Sequence, residues 1–102
     1  MRIGLVQFCG SDAPQANLRV ISGYIAEATD AGARFVLTPE VTNCVSASRT
    51  HQRSVLQTED EDLTLKTLVI EAERHGVWVL IGSLALKARD EDRFVNLSLI
   101  HI

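Results

Sequence analysis

No basic stripe, no membrane-length apolar run and no paired cysteines occur in the 102 residues of this chain. Each absence removes a class of function. Lysine and arginine total 10 against 13 aspartates and glutamates, and they are scattered along the chain. Phosphate-backbone binding needs clustered cations, so nucleic acid is not an expected partner. The net charge is −3 and the isoelectric point about 5.5. A bilayer span needs roughly 20 consecutive apolar residues, and nothing here approaches that. Arg2 is followed by a short apolar run interrupted by Gln7, which is not the pattern of a secretory leader. The two cysteines, Cys9 and Cys44, have neither CxxC spacing nor a nearby His pair. A reduced, cytoplasmic protein is the simplest expectation, in which the sequon Asn96-Leu97-Ser98 is silent. His51 and His101 lack partners at ligand spacing, so no metal site is expected. Neither GxGxxG after the first strand nor GxxxxGK[ST] occurs, which removes the nucleotide fingerprints.

What is present is an alternation of strands and helices. The apolar fraction is 46% and the mean hydropathy +0.10, ordinary values for a globular chain. At this length there is at most one domain, burying a smaller share of its surface than a larger one. Residues 3–9 read as a buried strand, broken by Gly10-Ser11-Asp12. Asp12 and Gln15 have the spacing of a capping box, and Pro14 suits the first turn of a helix. Leu18, Ile21, Ile25 and Ala28 make its apolar stripe, and Gly32 stops it. Phe35-Val36-Leu37 reads as a second buried strand, which predicts a parallel βαβ unit.

Residues 42–57 are polar and read as a loop with room for a helical turn. Thr58 and Glu61 suggest a second capping box, and the acidic run Glu59-Asp60-Glu61-Asp62 suits a helix start. Leu65, Leu68, Val69 and Ala72 share one helix face, and Gly76 ends it. His75 then reads as a surface residue complementing the helix dipole. Residues 77–81 form a third buried strand closing on Gly82-Ser83, which residues 84–87 extend, and residues 94–100 read as a hairpin partner. The order β-α-β-α-β-β, without repeat or linker, is an α/β chain.

Open α/β sheets carry functional groups at the C-terminal ends of their strands. Cys9-Gly10-Ser11, Pro39-Glu40 and Gly82-Ser83 lie there. Pro39 cannot donate to a ladder, so the chain must leave the sheet at Glu40. A carboxylate held stiffly and partly desolvated there suits a general base, and a rim glutamate capping a turn is the structural alternative. Cys44, four residues on, has an anionic neighbour and no nearby cation, so it reads as a loop cysteine without a role. Cys9 reads as a small core residue.

These segments together resemble the nitrilase superfamily of carbon–nitrogen hydrolases. Residues 3–8 look like that family's opening strand, and Asn17-Leu18 like the start of its first helix. Residues 32–40, Gly-Ala-Arg-Phe-Val-Leu-Thr-Pro-Glu, resemble its Pro-Glu signature; Gly82-Ser83 and Phe94-Val95-Asn96 match later elements in the same order. Residues 38–43 look closest to the amidase-like branch. The resemblance implies that residues 1–102 are the N-terminal portion of an αββα sandwich. It also implies a Glu-Lys-Cys catalytic set acting on a small amide or nitrile, with no cofactor. Glu40 matches the family's proton acceptor. The family's lysine and cysteine lie beyond the Asn96 region, and Lys66, Lys87, Cys9 and Cys44 occupy the wrong elements to replace them. The 102 residues are therefore expected to be inactive alone, and the full-length parent to be a homo-oligomer. After Asn96 the sequence departs from the family's Arg-Ser, reading Leu97-Ser98. A non-catalytic α/β ligand-binding or regulatory module is the competing expectation.

Overall fold

The computed structural model describes residues 1–88 and 93–101. Its elements are β1 (Ile3–Leu5), α1 (Pro14–Asp30), β2 (Phe35–Leu37), α2 (Arg49–Val55), α3 (Leu63–His75), β3 (Trp78–Lys87) and β4 (Phe94–His101). They form one four-stranded sheet in the order β1-β2-β3-β4. The first three strands are parallel, with Gly4, Val36 and Val79 in register, and β4 runs antiparallel to β3. The architecture is mixed α/β, as the order of strands and helices predicts.

One layer of helices covers one face of the sheet. Ile21 and Ile25 of α1 and Leu68 and Ala72 of α3 meet Val36, Val79 and Ile81 in the principal core. Those strand residues alternate with side chains on the opposite face, as the pleat requires. That face is open: Ile3 is 58% exposed, Leu5 65% and Ile100 55%. The expectation that β1 is fully buried fails for this reason. Its apolar run is continuous because both faces favour apolar groups, and only one is covered here.

Strand β1 is also shorter than residues 3–9. Its neighbour β2 stops at Leu37, and Val6 N–H donates to the Leu37 carbonyl (2.9 Å) as the last rung before Pro39. A strand cannot pair past the end of its partner.

Helix ends follow the glycines more closely than the capping boxes. Gly76 caps α3 at φ 64°, and Gly32, after α1, has φ 95°, left-handed conformations that a Cβ disfavours. The N-cap of α1 is Ala13, without a side-chain cap, rather than Asp12. Asp12 instead presents its carbonyl to His51 Nε2 (2.6 Å), tying the α1 entry to α2. At α3 the cap is Asp62, whose carboxylate accepts from Leu65 N–H (2.8 Å), while the Thr58 carbonyl closes the preceding turn. His75 stands in the last turn of α3, as a residue complementing the helix dipole would, and its ring lies 3.1 Å from Glu71 one turn earlier.

Strand β3 runs through Gly82-Ser83 to Lys87, as the expected extension over residues 84–87 has it, but its pairing with β4 slips between Ile81 and Leu84. Gly82 and Ser83 occupy this bulge.

Candidate active site

Glu40 stands where β2 leaves the sheet. Thr38 N–H still bonds to the Leu80 carbonyl (3.0 Å), Pro39 offers no N–H, and the chain turns at Glu40-Val41. The Glu40 side chain is exposed rather than partly desolvated, because the structure places only one layer of the fold around it. Among the described residues it makes no hydrogen bond or ion pair.

An open groove of about 460 Å³ runs over the strand ends, with Leu5, Gln7, Leu37, Glu40, Leu80 and Ser98 among its lining residues. Apolar walls around one carboxylate suit a small, largely apolar ligand with a polar reacting end. A larger groove of about 680 Å³ lies between the start of α1, α2 and the start of α3, with Asp12, His51 and Lys66 in its wall. It shares no residue with the Glu40 groove.

The loop after Glu40 is rigidly tied down. Val41 N–H donates to Ser83 Oγ (2.7 Å), and Thr42 N–H to the Ser83 carbonyl (2.8 Å). Asn43 is 1% exposed and imitates a strand: its amide donates to the Ala85 carbonyl (2.8 Å) and accepts from Ala85 N–H (2.9 Å). Asn17, buried in α1, donates to the Asn43 carbonyl (2.9 Å) and accepts from Ser11 N–H (2.9 Å). Two of the three strand-end positions singled out by sequence, Pro39-Glu40 and Gly82-Ser83, are thus brought together. The third is split: Ser11 joins the loop network through Asn17, whereas Cys9 is exposed at the surface and is not a core residue.

Sequence reasoning missed Asn17 and Asn43 as loop anchors and Ser98 as a groove residue. A polar run directly after a strand-ending Pro-Glu is the available signal for Asn43. Nothing local marks Ser98, which reaches the site through the β3–β4 pairing and donates to the Ile81 carbonyl (3.2 Å).

Cys44 is 1% exposed, with its Sγ 3.5 Å from the Asp12 carbonyl. Burial pushes its thiol above the ordinary cysteine value, and the Asp12 charge adds to that. A protonated, covered thiol is a poor nucleophile, which agrees with reading Cys44 as a loop residue. Among the described residues no group of three or more side chains could hold a metal ion, and no helix is long and apolar enough to cross a membrane.

A mostly parallel α/β sheet with a carboxylate at a proline-terminated strand end defines the class of chain, and similarity to known proteins gives the family. The carbon–nitrogen hydrolase model matches residues 2–100, and the chain belongs to that family. The match runs past the departure after Asn96. An amidase from Nesterenkonia sp. superposes with a TM-score of 0.77 at 26% identity, covering 98% of this chain and 37% of that one. A glutamate-to-glutamine variant of the amidase from Nesterenkonia sp. AN1, described with acrylamide added to its active-site cysteine, superposes with a TM-score of 0.78 at 25% identity; 98% of this chain and 39% of that one are covered. The C. elegans NitFhit protein shares the fold, with a TM-score of 0.82 at 18% identity over 96% of this chain and 24% of that one. The chain thus spans well under half the length of these structures. No curated protein sequence matches it.

Proposed function

We propose that this chain supplies the proton-accepting glutamate, Glu40, of an enzyme that hydrolyses the carbon–nitrogen bond of a small amide. The observation that carries the reading is the position of Glu40, at a proline-terminated strand end on an apolar groove in a carbon–nitrogen hydrolase chain. The structural neighbours support amide over nitrile. One is described with acrylamide at its active-site cysteine, and a cysteine-to-alanine variant of the same amidase is described with butyramide.

In this reading the lysine and cysteine of a Glu-Lys-Cys set come from the part of the fold that these 102 residues do not span. The carboxylate takes the thiol proton as the sulfur attacks the amide carbon. A lysine ammonium stabilises the oxyanion of the tetrahedral intermediate. The C–N bond breaks, the amine leaves with a proton from Glu40, and a thioester remains. Water then attacks the thioester, Glu40 accepts its proton, and the acid and the free thiol are released. The reading includes a cytoplasmic, homo-oligomeric full-length enzyme without nucleic-acid partners, and no activity for the 102 residues alone.

A second reading is a non-catalytic module that binds a small molecule in the same groove, whose largely apolar walls could hold a ligand without covalent chemistry. Glu40→Gln in the full-length protein separates them. Loss of a positioned base costs about 10²–10⁴-fold in turnover, so amide hydrolysis should fall by that factor while the fold is retained. Turnover close to wild type in that variant overturns the catalytic reading.

A further inference from the structure

Among the described residues, the one non-glycine residue with positive φ is Val41, at 48°, directly after Glu40. A β-branched side chain is strongly disfavoured there, and such a residue persists only where its surroundings hold it. Because the Glu40 carboxylate has no partner of its own among the described residues, its direction is set by this backbone.

Two consecutive residues of β3 hold the turn. Ser83 takes Val41 N–H on its hydroxyl (2.7 Å) and Thr42 N–H on its carbonyl (2.8 Å). Gly82 N–H donates to Thr38 Oγ1 (3.3 Å), which lies 2.8 Å from Thr42 Oγ1, and Thr42 Oγ1 donates to the Pro39 carbonyl. With Thr38 donating to Thr42, each hydroxyl gives one bond and accepts one, a consistent chain joining the residues on either side of Glu40. Such chains strengthen cooperatively. The bulge between Ile81 and Leu84 takes Gly82 and Ser83 out of register with β4, so their polar groups are free to face the turn. Only glycine permits the approach: a Cβ at position 82 would lie 2.5 Å from the Thr38 carbonyl oxygen and 2.6 Å from that of Pro39.

We infer that Gly82 and Ser83 are positioning residues for Glu40, and that the bulge in β3 exists to clamp the strained Glu40-Val41 turn. This rests on the reading of Glu40 as the proton acceptor. The clamp reaches the reacting atoms only through Glu40, so its loss reduces the chemical step and leaves substrate binding largely intact.

The test is steady-state hydrolysis of butyramide by the full-length enzyme, well below each variant's melting temperature. Misplacing a catalytic group by an ångström costs up to about 100-fold, so Ser83→Ala should lose roughly tenfold to a hundredfold in kcat with KM little changed. Ser83→Thr, which keeps the hydroxyl, should restore most of the loss. Hydrogen exchange at the Val41 amide should quicken in Ser83→Ala and not in Ser83→Thr. Thr38→Val, which cuts the hydroxyl chain without changing side-chain shape, gives the same kcat-selective loss and serves if Ser83→Ala does not fold. A wild-type kcat in Ser83→Ala or in folded Thr38→Val overturns the clamp, as does a loss that Ser83→Thr fails to rescue. Glu40→Gln is assayed alongside. If it stays active, the reading of Glu40 falls; if it is inactive while Ser83→Ala is unchanged, the clamp alone falls.

Discussion

Asp62 shows how a single carboxylate can cap a helix and still work against the fold. It is 4% exposed, and burial raises its pKa above the ordinary aspartate value of 3.8, although hydrogen bonds from the Leu65 and Thr64 amides oppose the shift. A folded pKa above the unfolded one means the native state binds the proton more tightly. Its contribution to stability is therefore fully present below 3.8 and is lost as pH rises through the raised value. Asp62→Asn keeps an acceptor for Leu65 N–H and removes the titration. Thermal melts between about pH 4 and 7 should show a flatter fall in stability for the variant, and equal slopes would count against the account. Cys44 gives a second residue-level test. Burial and the Asp12 charge keep its thiol protonated, so an amide-mimicking electrophile should label it no faster than a free thiol. Rapid stoichiometric labelling would restore it as a candidate nucleophile.

At the scale of elements, local signals located helices and strands well and located their functional ends unevenly. Gly32 and Gly76 marked helix ends because left-handed backbone is a property of one residue. Asp12 is not the cap: the helix starts one residue later, with Ala13 at the N-cap, and the Asp12 carboxylate lies 3.7 Å from His51, 39 residues away. Gly82-Ser83 reads as a closing point with the strand extended beyond it, and the structure makes it a bulge within one strand because β4 carries the ladder onward on the far side. Asn43 has the same lesson. Its side chain takes both backbone groups of Ala85, 42 residues distant, in a buried setting. Asn43→Ala leaves that N–H and carbonyl without partners at about 1–3 kcal/mol each. Urea denaturation should show a loss of that order, and a change below about 0.5 kcal/mol would mean the loop finds other partners.

At the scale of the molecule, one face of the sheet is packed and the other is not. Ile3, Leu5, Trp78 and Ile100 are all exposed on or beside the open face, a larger apolar surface than single scattered residues make. In a sandwich of the nitrilase type, a second sheet covers this face at about 10 Å. Residues 1–102 produced alone should therefore bind an apolar dye and self-associate, and Leu5→Thr with Ile3→Thr should reduce both. A monomer that binds no dye would show that the strands rearrange to hide the face.

By itself the sequence determined the four strands and the two long helices in order, the parallel pairing of the first two strands and the exit of the chain from the sheet at Glu40. Each of these follows from neighbouring residues: apolar period, glycine at positive φ, and a proline without an N–H. Helix α2, by contrast, falls where the residues read as a loop with a helical turn. Only the tertiary structure decided that Ser83 and Gly82 seize the turn around Glu40, and that Asn17, Asn43 and Ala85 brace it. Those contacts join positions 26 to 44 residues apart through strand register and a bulge. Register is a property of paired strands, so no stretch of sequence read alone contains it.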